Sequence, residues 1–264
     1  MARKIGKLEA ALLAYVQMRK LRAIRTGELT GPLQINPKQE SSLLDRMSRS
    51  RMIAQVRRGL YLVPPMLPLG GVWSPDQALA LNTLIDDKKG RYQVCGPNAF
   101  YRYGFDGQVP MRLYVYNNRL YGERTIGALS LTLIKVSKDR LGGTEKVTNV
   151  EGETLFYSSR ARSLMDAVYD WSRFDSLPRG YEWIRREITA KRVTDGELAN
   201  MVVRYGNKGT ARRIGALLES LGTSNAVLGR LEKMLESSKS QIPFVPGKPK
   251  RGKLNRRWGV VLNE

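Results

Sequence analysis

Two sets of side chains in this sequence have types and spacings that could do chemistry: a pair of carboxylates and several clusters of arginine and lysine. Asp166 and Asp170 stand four residues apart in "SLMDAVYDW", which puts both on one face of a helix. Such a pair could serve a nuclease or a kinase-like activity. The sequence sets no metal ligand beside them, and Arg162 and Asp166 read as an ordinary i,i+4 surface pair, so no catalytic residue is expected. Asp86-Asp87 closes a helical period and reads as solvated. There is no P-loop, no GxGxxG and no metal-spaced cysteine cluster, nor a Gly-Ser followed by paired aspartates. Neither a metal nor a cofactor is expected.

Histidine is absent, which excludes Ser-His-Asp and Cys-His catalysis and His-ligated zinc. The single cysteine, Cys95, lies in an apolar run and reads as a small core residue. It has no partner for an intramolecular disulfide, which suits a reducing cytoplasm. No run of about 18 apolar residues is present, and the N-terminus lacks a signal peptide's apolar block, so no membrane partner is expected.

The cations carry more information. Lys and Arg number 45 against 24 Asp and Glu, a net charge of +21 over 264 residues. That excess favours a polyanion, nucleic acid first, through counterion release and long-range steering. Hydrophobic residues at 42% are enough for buried cores, and the length suits two domains.

The elements that must position these cations begin with a helix carrying Ile5, Leu8, Leu12, Tyr15 and Val16 on one face. Thr26 offers an N-cap for a short helix that must stop by Gly31-Pro32. Asn36 then caps a second full helix, with Pro37 first and Gln39 at capping-box spacing. Leu43, Leu44 and Met47 share its dry side. Lys38, Ser42, Asp45 and Arg49 face away, flanked by Gln39 and Arg46, and Arg51 follows. "MIAQV" and "LYLVPP" read as strands joined through Arg57-Arg58-Gly59, a basic hairpin tip. Helix, short helix, helix and hairpin occur in the order of a winged helix-turn-helix, and its expected partner is double-stranded DNA. The expected DNA contacts are Lys38, Gln39, Ser42, Arg46, Arg49, Arg51, Arg57 and Arg58.

"PPMLPLGG" reads as a boundary between residues 1–66 and 73–264. Beyond it, Ser74 and Pro75 open a helix running to about Asp87. "RYQVCG", "MRLYVYNN", "TIGALSLTLIKVS" and "GETLFY" read as strands, with a brief helix in "PNAFYRYGF". From Ser158 onward five helical periods follow, then a proline-spaced basic tail that reads as extended. The fold class is α+β, with a helical second half to the larger domain.

At "RRGLYLVPP", "CGPNAFYRYGF", "SSRARSLMDAV" and "ARRIGALLESLG", with a basic tail ending in tryptophan, the chain resembles the AbiEi-type antitoxins of abortive-infection systems. The resemblance covers nearly the whole chain. It implies a winged helix-turn-helix that binds inverted repeats in its own promoter. It also implies a C-terminal domain that counters a cognate nucleotidyltransferase-like toxin, in phage defence. The implied antitoxic surface includes Arg185, Arg186, Lys208, Arg212 and Arg213. Two other classes stay open: an enzyme acting on nucleic acid or protein through Asp166 or Asp170, and an RNA-binding module using the basic C-terminal half.

Overall fold

The computed structural model describes residues 5–68, 71–235 and 240–263. Positions 1–4, 69–70, 236–239 and 264 lie outside the described residues. They hold the first basic residues, part of the Pro/Gly stretch and the end of the last expected helix.

Two helices, α1 (Lys7–Arg19) and α2 (Pro37–Arg49), pack with three strands, β1 (Ala23–Arg25), β2 (Ala54–Arg57) and β3 (Leu60–Leu62). α2 starts as its sequence predicts. Asn36 Oδ1 accepts from the Gln39 amide at 2.9 Å, and Gln39 Oε1 accepts from the Asn36 amide at 2.9 Å. Gly59, at φ +77°, supplies the left-handed residue of the β2–β3 hairpin. β3 lies between β1 and β2, antiparallel to both. Leu12, Val16, Leu43, Leu44, Met47 and Ile53 fill the space between these helices and the sheet.

The short helix predicted after Thr26 does not form; residues 26–34 run as successive turns. Its amides find another acceptor. The buried carboxylate of Glu40, in the first turn of α2, takes hydrogen bonds from the Gly27 amide at 2.8 Å and the Leu29 amide at 2.9 Å.

α3 (Gln77–Asp87) is capped by Asp76, whose Oδ1 accepts from the Ala78 amide at 2.8 Å. Ser74, the predicted cap, instead accepts from the Ala128 amide at 2.9 Å. A six-stranded sheet follows: β4 (Tyr92–Val94), β5 (Leu113–Asn117), β6 (Gly122–Ile126), β7 (Leu129–Lys135), β8 (Thr144–Thr148) and β9 (Thr154–Ser158). Its order is β6-β7-β5-β4-β9-β8, with β5/β7 and β4/β9 parallel and the remaining neighbours antiparallel. The strand predicted as continuous through Thr125 to Ser137 breaks at Gly127, φ +61°, into the β6–β7 hairpin.

Alternation along this sheet serves two cores. Leu113, Val115, Leu131 and Leu133 face α3, while Tyr116 and Ile134 face the helical half. That half comprises α4 (Pro97–Arg102), α5 (Arg160–Tyr169), α6 (Trp171–Phe174), α7 (Arg179–Thr189), α8 (Asp195–Tyr205), α9 (Lys208–Ser220) and α10 (Asn225–Glu232). The chain is therefore a mixed α+β protein. The expected separation after residue 66 is not clean. Ala54, Val56, Leu60 and Leu62 of the hairpin belong to the same apolar cluster as Ala78, Leu81 and Ile85 of α3. Trp73 also returns its amide to the Arg51 carbonyl at 2.7 Å.

The tail is folded rather than merely extended. β10 (Ile242–Pro243), β11 (Lys253–Asn255) and β12 (Val260–Leu262) form a small sheet, and Trp258 is buried against α9. A Cβ at Gly215 would lie 2.3 Å from Trp258 Cζ3, so only glycine leaves room for the indole. Gly215→Ala gains about 1 kcal/mol of helix propensity. Overpacking costs about 1–3 kcal/mol, so a net loss of stability is expected in urea melts. A stabilised variant would mean that Trp258 does not pack there.

Candidate nucleic-acid interface

The outer face of α2 presents Lys38, Gln39, Ser42, Arg46 and Arg49, all exposed, with Arg51 exposed just beyond the helix. The side chains are not equally available. Gln39 spends its carbonyl oxygen on the capping box. Arg46 donates to Glu9 of α1 at 2.9 Å, which ties α2 to α1. Arg49 reaches back to the Asp45 carbonyl at 3.3 Å. Lys38 makes no ion pair among the described residues. The face is an open row of donors about three helical turns long, held rigidly by the apolar side of the same helix.

At the hairpin the structure corrects a sequence expectation. Arg57 does not point outward from the tip. Its Nε and Nη2 grip both oxygens of Asp87, at the end of α3, at 2.6 and 2.7 Å. Arg25 of β1 adds a third bond to Asp87 at 3.0 Å. Asp87, expected to be solvated, has a side chain only 5% exposed, and the Arg57 guanidinium holds its carboxyl well below the usual carboxylate range. Arg58 is the exposed cation of the tip, and its carbonyl accepts from Arg57 Nη1.

The carboxylates in the helical half are likewise committed. Asp166 is fully buried, and its partner Arg162 is buried with it, so the pair is not the surface pair its spacing suggests. Arg140 Nη2 donates to Asp166 at 2.6 Å and Arg162 Nε at 3.0 Å, with Ser158 Oγ at 3.4 Å. Burial pushes the Asp166 carboxyl up to about 6 against the opposing charge of Arg140. Asp170 accepts from the Tyr116 hydroxyl. Asp166 is therefore shared by two guanidiniums inside the core, one negative charge against two positive ones. Burial pushes the Cys95 thiol up, and the residue is fully buried, as its sequence neighbours predict. Among the described residues no group of three or more acidic, cysteine or histidine side chains gathers to hold a metal. Among the same residues no helix is long and apolar enough to cross a membrane.

The residues assigned to an antitoxic surface divide into two groups. Arg186 and Lys208 are exposed. Arg185 is partly exposed and donates to Glu182 at 2.6 Å. Arg212, 5% exposed, does not belong to a surface. Its Nε donates to the Trp258 carbonyl at 2.6 Å, and Nη2 donates to the carbonyls of Ser240 and Gly259. Arg213 is half-buried and donates to the Pro243 carbonyl at 3.1 Å. Both arginines clamp the tail onto α9, and burial lowers both guanidinium pKa values. Their basic spacing could not reveal this, because the acceptors are backbone carbonyls 28 to 47 residues away.

No family model matches the chain, and no curated protein matches it. Among solved structures, the crystal structure of the RV2827C protein from Mycobacterium tuberculosis is similar, with a TM-score of 0.58. The match covers 98% of this chain and 92% of that one at 14% identity, a likeness of fold alone.

Asp166→Asn leaves Arg140 and Arg162 buried without a carboxylate. A loss of about 3–5 kcal/mol is expected in urea melts, as for other broken buried pairs. A variant with native stability would return Asp166 to the list of catalytic candidates. Asp87 gives a pH signature. Its folded pKa is depressed, so its contribution is present above the ordinary carboxylate pKa of about 4 and fades as pH falls below that value. Asp87→Asn should therefore lower the Tm at pH 7 by an amount that shrinks as melts are run toward pH 2. A pH-independent gap would show that the carboxylate charge is not what holds Arg57.

Proposed function

We propose that the chain is a DNA-binding repressor and antitoxin of the AbiEi type, with residues 7–62 acting as a winged helix-turn-helix. The observation that carries the DNA-binding half is the exposed row Lys38, Ser42 and Arg49 on α2, beside a three-stranded sheet with Arg58 at its tip. In this arrangement α2 enters the major groove and its polar side chains meet base edges, while Arg58 meets phosphate. The turns of residues 26–34 take the place of the first helix of the motif. Double-stranded DNA carrying promoter inverted repeats is the partner.

Antitoxicity is supported by the ordered sequence motifs that resemble the family. Of the basic side chains assigned to it, Arg186 and Lys208 are exposed and Arg185 is partly exposed and paired with Glu182, while Arg212 and Arg213 are occupied in holding the tail. The cognate toxin is nucleotidyltransferase-like. Asp166, buried and held by Arg140 and Arg162, and Asp170, bonded to the Tyr116 hydroxyl, favour this function over the enzymatic alternative.

The full-length chain is expected to bind a duplex from upstream of its own gene more tightly than a scrambled duplex. Lys38→Ala with Arg49→Ala should weaken the specific complex about 10- to 100-fold in anisotropy titrations, and the scrambled one several-fold less, because base contacts specify. Equal losses on both duplexes would assign α2 to phosphate only. Failure of the unaltered chain to bind any duplex would sink the proposal.

A further inference from the structure

The larger part of the molecule carries a cationic corner that the DNA-binding motif does not include. It is built by the turn after α3, with Lys88, Lys89 and Arg91, and by Arg119 in the turn after β5; all four side chains are exposed. Asn118 Oδ1 accepts from the Arg91 amide at 2.8 Å, and Arg119 Nη2 donates to the Lys89 carbonyl at 3.3 Å, so the two turns are clasped together. The fit is close: a Cβ at Gly90 would lie 2.9 Å from Arg119 Cγ and 3.1 Å from Ile85 Cγ2. The corner is thus a built surface with fixed backbone.

Its position follows from Asp87. That one carboxylate binds Arg57 of the hairpin, Arg25 of β1 and, at 3.5 Å, Lys88 of the corner itself. The Thr26 amide donates to the Gly59 carbonyl, which joins the hairpin tip to the turns leading into α2. Glu40 joins those same turns to the first helical turn of α2. A chain of direct contacts therefore runs from the N-terminal end of α2, with Lys38, through the tip, with Arg58, to Lys88, Lys89 and Arg119. Asp87 is shared by Arg25, Arg57 and Lys88, while Arg58, Lys89, Arg91 and Arg119 make no ion pair among the described residues. The surplus of like charge in so small a region is unfavourable in the free protein, and phosphate relieves it.

We propose that this corner is a second phosphate-binding surface, which grips the flank of the same duplex that α2 reads. The proposal rests on the DNA-binding function above and extends it: the binding unit is not residues 1–66 alone but includes the α3–β4 and β5–β6 turns. Contacts of this kind position DNA without reading sequence. They should act alike on all duplexes long enough to reach the corner.

The test uses the full chain, a duplex of about thirty base pairs carrying the repeat, and titrations from 50 to 300 mM salt. Each lost phosphate contact flattens the log–log salt dependence by about 0.9 units. Lys88→Ala/Lys89→Ala/Arg119→Ala should flatten it by about two to three units and weaken specific and scrambled duplexes by the same factor. Lys88→Gln/Lys89→Gln, which leaves Arg119 over Gly90, should flatten it by about two. A control with equal charge loss elsewhere, Lys146→Ala/Arg204→Ala/Lys233→Ala, should leave the slope unchanged. Corner variants that match the control overturn the proposal. If they do so while Lys38→Ala/Arg49→Ala still reduces preference for the repeat, only the extension fails. If the unaltered chain binds no duplex, the DNA-binding function fails with it.

Discussion

Carboxylates are scarce in this protein, and that scarcity organises much of its interior. Against 45 cationic side chains stand 24 acidic ones, and three of the buried acids each serve more than one cation. Asp87 holds Arg25 and Arg57, and Asp166 holds Arg140 and Arg162. Glu187, 1% exposed, takes Arg160 at 2.7 Å and both Nε and Nη2 of Arg192 at 2.9 and 2.7 Å. Burial raises the Glu187 carboxyl, but these hydrogen bonds outweigh it and keep the group below its usual range. Arg212 is buried without a carboxylate and is satisfied by carbonyl oxygens instead. Planar guanidiniums with several directed donors suit such sharing, and at Asp87 Lys88 joins the two arginines at 3.5 Å.

Each shared acid also joins segments distant in sequence. Asp87 connects β1, the hairpin and α3, while Glu187 connects α5 to the turn after α7. Glu9 connects α1 to α2 through Arg46, and Glu40 shapes the turns that replace a helix. Removing Asp87, Asp166 or Glu187 would therefore take a partner from more than one cation. The exposed cations that make no ion pair among the described residues are the ones left for a polyanion. Lys38 and Arg58 are of this kind, and so are Lys89 and Arg91.

The apolar layer between the hairpin and α3 adds a mechanical link to this electrostatic one. Val56, Leu60 and Leu62 are buried against Ala78, Leu81 and Ile85, so the small sheet and the larger unit share a core. Arg22 strengthens the connection from the opposite end of β1, with Glu153 at 3.2 Å. A surface presented by α2 is consequently held in fixed orientation to the turns after α3 and β5. Pro64, Pro65, Pro68 and Gly71 lie outside regular structure.

Local interactions were legible in the sequence because they reach only a few residues. The Asn36–Gln39 capping box, the apolar side of α2, the left-handed Gly59, the inward row Leu129, Leu131 and Leu133, and the buried Cys95 all follow from spacing of four residues or fewer, or from immediate neighbours. The α+β class follows from the same periodicities. What tertiary structure decided is the fate of each charge. Arg57 meets Asp87 thirty residues away, and Arg140 meets Asp166 across 26 residues. Arg212 meets the Gly259 carbonyl across 47. A run of arginines looks the same whether it faces water, phosphate or the core. Only desolvation and the position of a remote acceptor distinguish these cases, and both are properties of the packed chain.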